Sequence, residues 1–215
     1  AVQLGTLGVV GTSEGPLSRN SGASYIFNYR YSFSALARKI GLLSTDGDQA
    51  DFQDMNFKFN FPTKKAGTFA VFGLGMNDKY WNDVPDFETW QSIYDQEYLE
   101  SRQAMFVGGL THNVYLGNGW KWNTAVAYSI FKNDGDDSYA DYYYGDAPVV
   151  ADKNTYAKYA EMRQKNQQLT VQTGFQKRFN DAFLSKVGVS YSEYYFDINL
   201  KMAEAVGATT LDPVY

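Results

Sequence analysis

A chain of 215 residues with a formal charge of −5 and a pI near 4.9 is long enough for one sizeable β domain and offers no basic stripe to a nucleic acid. Mean hydropathy is −0.42 and no run approaches the roughly 18 apolar residues of a membrane-spanning helix, a test that alternating strands escape. Cysteine is absent, which excludes disulfides, thiol catalysis and thiolate metal sites.

The opening segment "AVQLGTLGVV" has neither the basic n-region nor the clean apolar core of a signal peptide, so an exported protein would be met here in mature or truncated form. A first strand is expected near residues 3–13, followed by the turn-rich "EGPLSRNSG". In "SYIFNYRYSF" one face is an aromatic ladder (Tyr25, Phe27, Tyr29, Tyr31) and the other carries Ser24, Asn28 and Arg30. A long connection then runs to about residue 52. "DMNFKFNFP" repeats the alternation, with Met55, Phe57, Phe59 and Phe61 against Asn56, Lys58 and Asn60, and the short basic turn "PTKKAG" leads into "TFAVFGLGM".

A second long connection reaches about residue 98. The strand expected around 101–116 contains "AMFVGGLTHNVYL", in which both parities mix and no single face is apolar. Its Asn-Gly pair, in "LGNG", is a tight-hairpin signal. The return strand sets Trp120, Trp122, Thr124, Val126, Tyr128 and Ile130 against Lys121, Asn123, Ala125 and Ser129. A third long connection, "KNDGDDSYADYYYGDAPVVADKN", is acidic. "QQLTVQTGFQKRF" and "LSKVGVSYSEYYFDI" then alternate again about the turn "RFNDAF".

These segments predict an all-β chain: an antiparallel transmembrane β-barrel segment of about eight strands of roughly 9–13 residues, joined short–long–short–long. The short turns hold Arg19, Lys64, Lys65, Lys177 and Arg178, whereas two of the long connections are rich in Asp and Glu. That asymmetry places the turns in the periplasm and the loops outside the cell. On this reading the aromatic ladders face lipid, the amides and cations face a watery lumen, and Trp120, Trp122, Tyr29 and Tyr31 form an interfacial girdle.

The segments "EGPLSRNSGASYIFNYRYSF" and "FQDMNFKFNFPTKKAGTFAVFGLG" resemble the barrel of outer-membrane TonB-dependent receptors, those with a carboxypeptidase-regulatory-like N-terminal domain in particular. The likeness is strongest over about residues 8–76. It implies a large barrel, typically of about 22 strands plugged by an N-terminal domain, that imports a scarce nutrient. It also implies location in the cell outer membrane and no enzymatic activity or cofactor. The implied partners are outer-membrane lipid, the TonB energy-coupling system acting through a plug, a nutrient ligand and a surface lipoprotein. Residues 1–215 have no plug-like segment and no energy-coupling box, and so are expected to form part of one barrel domain of a longer receptor.

Candidate chemistry is sparse. His112, the single histidine, has no serine-hydrolase signature near it and reads as structural. The acidic groups Asp46, Asp48, Asp51 and Asp134, Asp136, Asp137, Asp141 depart from the EF-hand spacing and read as solvated loops, with weak calcium binding as the alternative. Aromatics of the long connections, Tyr80, Trp81, Phe87, Trp90 and Tyr94, with Tyr142 and Tyr143 in "DYYYGD", are the candidate ligand-binding residues, since such platforms suit sugars or peptides. Lumen-facing Arg30, Lys58, Lys121 and Lys186 are expected to pair with acids of a plug or a neighbouring strand. Two other classes compete. One is a complete eight-stranded barrel (anchor, adhesin or lipid-modifying enzyme) filled by Gln168, Gln172, Gln176, Lys58 and Lys186. The other is a soluble ligand-binding β protein with its aromatics turned inward.

Overall fold

The computed structural model describes residues 1–5, 8–44, 47–82, 84, 97–139, 157–203 and 212–213. They form one antiparallel sheet in which every strand pairs with its neighbours in sequence. The strands are β1 (Val2–Gly5), β2 (Gly8–Ser18), β3 (Ala23–Tyr31), β4 (Gln49–Pro62), β5 (Thr68–Trp81), β6 (Glu97–Gly117), β7 (Trp120–Tyr139), β8 (Ala157–Arg178), β9 (Leu184–Met202) and a two-residue β10 (Asp212–Pro213). Among the described residues no pairing joins β1 to β9 or β10, so the sheet is open. A closed barrel of eight strands is therefore not what these residues build. β9 pairs with β8 along its length but meets β10 only through Lys201 and Met202.

Several expected boundaries move. The first strand is two, β1 and β2, paired from Val2 with Gly11 to Gly5 with Gly8. β2 continues through "EGPLS", and only residues 19–22 turn. The connection after β3 contains a helix, α1 (Phe33–Lys39), capped by Ser32, whose Oγ accepts from the Ala35 N–H, with Arg38 and Lys39 in the last turn where they complement the helix dipole. The largest difference is strand length. β6, β7 and β8 run for 21, 20 and 22 residues, so Lys132–Tyr139 of the expected acidic loop is strand.

The connections at one end of the sheet are short: residues 19–22, 63–67, 118–119 and 179–183. At the other end they are long, except at residues 6–7 between β1 and β2. The β6–β7 hairpin has the left-handed backbone that its sequence demands, with φ of 49° at Asn118 and 76° at Gly119. Buried apolar side chains among the described residues are few and small: Ala23, Ala35, Ala37, Ala70, Val114 and Ala203. This is a single-layer sheet without a conventional core, and nothing described covers the aromatic face that the soluble reading turned inward.

Candidate functional site

Register fixes which side chains share a face. Directly opposed residues run Phe27–Phe57–Gly73–Gly108–Tyr128–Leu169 across β3 to β8, and every second row belongs to the same face. On that aromatic face the side chains are mostly apolar from Trp122, Phe175 and Val187 near the short turns to Tyr29, Met55, Phe106 and Ile130 about eight positions further along the strands, interrupted by Thr124, Thr173 and, on β9 opposite Leu169, Glu193. These side chains are open to the surroundings: Leu110 is 57% exposed, Val187 69% and Val189 68%. Three glycines on β5 and β6 sit where an alternating strand would carry large residues. A Cβ on Gly73 would come within 2.5 Å of the Phe57 ring, and one on Gly109 within 2.8 Å of the Phe72 ring, so rings of the opposed strands fill those places. Gly108 is likewise overlaid by Phe106. This filling is why β6 showed no single apolar parity.

Both limits of the apolar band are marked. At the short-turn end, rings touch across four strands: Phe69 on His112 at 4.3 Å, His112 on Trp122 at 5.8 Å, and Trp122 on Phe175 at 5.8 Å. His112 also uses Nε2 to bond the Ala66 carbonyl oxygen at 2.6 Å, so it tethers a turn. At the other end tyrosine hydroxyls donate away from the band to amides: Tyr29 to Gln53 at 2.7 Å and Tyr128 to Gln167 at 2.6 Å. These are amphipathic side chains with the ring in the apolar zone and the hydroxyl at its margin.

Beyond that margin the same face becomes charged in rows. Lys132 lies directly opposite Lys165, and two residues further on Lys79–Arg102–Asp134–Arg163 lie in line. Two residues beyond those come Glu100–Asp136–Glu161–Lys201. Like charges directly opposed are unfavourable in a sheet. The rows offset one another by ion pairs between them, Lys79–Glu100 at 2.9 Å, Arg102–Glu100 at 2.5 Å and Arg163–Asp136 at 2.6 Å, and Lys201–Glu161 at 3.6 Å lies within the second row. Burial raises the Glu100 carboxyl, but hydrogen bonds from Lys79 and Tyr98 and the Lys79 and Arg102 charges outweigh it and hold it below the usual range. Sequence reasoning missed these rows because most of the ion pairs join different strands.

The opposite face mixes amides and hydroxyls with apolar side chains, among them Phe72, Leu74, Val107, Met105 and Phe131. Asn28 donates to Asn56 at 2.8 Å, Gln168 to Tyr194 at 2.9 Å, and Thr170 and Ser192 share a bond of 3.1 Å. A concavity of about 560 Å³ lies against Lys58, Asn113, Asn123, Gln172 and Ser190. Of the four cations expected here, Arg30 pairs with Asp54 of the neighbouring strand at 2.6 Å, Lys121 stands 5.6 Å from the Tyr115 ring, and Lys58 borders the concavity. Lys186 lies on β9 opposite Gln176.

At the long-connection end, Trp81 closes β5, with Arg38 of α1 at 5.2 Å and Lys79 at 4.8 Å over its ring and an Arg38–Asp51 ion pair beside it. Trp90, Tyr94, Tyr142 and Tyr143, together with Phe87, Asp46 and Asp141, lie outside the described residues. Burial, and then Asp48, raise the Tyr80 hydroxyl. The described acids do not converge: Asp134 and Asp136 share one face of β7 and Asp137 the other, and no group of three metal-ligating side chains forms among the described residues.

Asp137 has a different partner. Burial, followed by the Glu97 carboxylate, pushes its carboxyl up to about 6, well beyond the apolar band. A carboxyl raised above its unfolded value stabilises while protonated, and that contribution is lost as pH rises through about 6. Asp137→Asn is expected to protect the β6–β7 strand ends by about 1 kcal/mol at about pH 8, a value discounted for partial exposure, and to change nothing below about pH 4. Hydrogen exchange at 97–99 and 137–139 measures this.

No family model, curated protein or solved structure matches the chain.

Proposed function

We propose that this chain is a stretch of the wall of an outer-membrane TonB-dependent receptor, with the aromatic face toward lipid and the amide face toward a lumen. The observation that carries the reading is the uncovered apolar band bounded at both margins by aromatic rings. Counted along β7 from Trp122 to Ile130 it is nine residues tall, matching the roughly 9–11 residues of a tilted strand crossing a bilayer. The receptor assignment itself rests on the resemblance of residues 8–76. In this role the wall is static, the long connections capture a nutrient, and a plug moved by TonB opens the path. An open sheet with unpaired edges suits part of a larger barrel better than a complete eight-stranded one.

Expression of the gene at native length, membrane fractionation and electrophoresis with and without boiling test this. A heat-modifiable outer-membrane band well above 24.3 kDa is expected. A compact heat-modifiable species of that mass would instead support the small barrel. Recovery as a periplasmic protein without detergent would refute both.

A further inference from the structure

In the charged rows on the aromatic face Lys79, Arg102, Arg163 and Lys201 have ion-pair partners, whereas Lys132 and Lys165 do not. The anionic row Glu100–Asp136–Glu161 takes its countercharge from Lys79, Arg102, Arg163 and Lys201. Lys132 and Lys165 lie on the other side of that cationic row, toward the apolar band. They are directly opposed, with Ile130 and Gln167 below them. Among the described residues neither has a hydrogen-bond or ion-pair partner. The acids nearest in register are Asp134, two residues along β7, and Asp197, opposite Lys165 on β9; neither pairs with them. Two like charges are held face to face here, and although Asp197 stands on β9 across from Lys165, neither ammonium forms an ion pair with it or with Asp134.

Position says what would. The pair sits one side-chain row past Ile130 and level with Gln53, Asn77 and Ala104, where the face stops being apolar. In a bilayer that is headgroup depth, and lysines there reach phosphates while their stems stay on the apolar wall.

We propose that Lys132 and Lys165 bind the phosphate of a lipid headgroup in the leaflet on the long-connection side. This rests on the membrane reading above. Acyl chains would lie on the band along Tyr128, Ile130 and Leu169, and the phosphate would bridge the two ammonium groups and complete the alternation of charged rows.

The full chain in detergent micelles, titrated with phosphatidylglycerol and followed by native mass spectrometry, tests the site. The K132Q/K165Q variant is expected to bind the lipid roughly five- to tenfold more weakly than the parent, and K132R/K165R to match the parent. Diacylglycerol, which has the chains without phosphate, should distinguish none of these proteins. K64Q/K65Q, altered at the opposite end of the sheet, should bind as the parent does. Boiling-dependent migration confirms that each variant is folded. Equal lipid binding by heat-modifiable parent and K132Q/K165Q would overturn this site while leaving the membrane reading intact. Displacement of the lipid by inorganic phosphate at equal concentration would overturn the lipid assignment. A chain that is water-soluble and not heat-modifiable would overturn both.

Discussion

Val126→Arg is expected to cost about 2–4 kcal/mol of folding stability in a lipid bilayer, while Gln172→Arg, one row away on the adjoining strand, should cost under about 1 kcal/mol. Val126 lies midway along the apolar band, 38% exposed, with Leu110 and Val171 opposite it. A guanidinium there meets hydrocarbon and can leave it only by stretching or thinning the bilayer. Gln172 points to the other face, among the amides that line the concavity, where a cation finds water and acceptors. Urea titrations of protein folded into vesicles, read by the fraction that migrates faster without boiling, measure both variants. Similar small costs for the two substitutions would remove the lipid-facing assignment, because a watery aromatic face tolerates arginine as readily as the amide face does.

Gly67→Val should be as damaging for a reason independent of any membrane. Gly67 has φ of 83°, and a Cβ there would stand 2.2 Å from the Asn113 carbonyl oxygen and 2.8 Å from Val114 Cα. Its own carbonyl accepts from both the N–H and the Oγ1 of Thr63, each at 2.8 Å, which closes the turn between β4 and β5. A β-branched residue pays the left-handed penalty and must also push the turn off β6. Together these are expected to cost roughly 3 kcal/mol or more. Lys65→Ala in the same turn should stay within about 0.5 kcal/mol. The same titration, in bilayer or in micelles, reports the difference.

Much of the sheet could be read from single strands. The alternation in β3, β4 and β7 predicted their faces, and the register confirms that Tyr25, Phe59 and Val71 share one. The Asn118–Gly119 turn was equally plain, because few residues accept positive φ. β6 could not be read alone, since its faces depend on how Phe72 of β5 and its own Phe106 cover Gly109 and Gly108. The outer part of β7 reads as loop for a related reason. "KNDGDDSY" is poor strand sequence by itself, and it becomes strand because Asp136 meets Arg163 and Lys158 across the ladder. The helix α1 spans seven residues, too few to show a helical period, and its signal is the Ser32 cap with the terminal Arg38–Lys39 pair. Of the candidate binding aromatics, Tyr80 and Trp81 fall within described structure, and the environment of Trp81 there is set by α1, an element the strand pattern did not anticipate.

The 22 residues of β8 span roughly 70 Å along the strand, while the apolar band accounts for only about 30 Å of it. With the band in a bilayer, the remainder stands clear of the surface as a hydrogen-bonded parapet. Tethers at that height would be stiff, so the entrance would keep its width while an incoming ligand jostles it, and selection by size would occur before any contact with the lipid plane. An antibody or phage fibre would meet the parapet first, and its ion-paired rows would make that encounter weaken as salt rises.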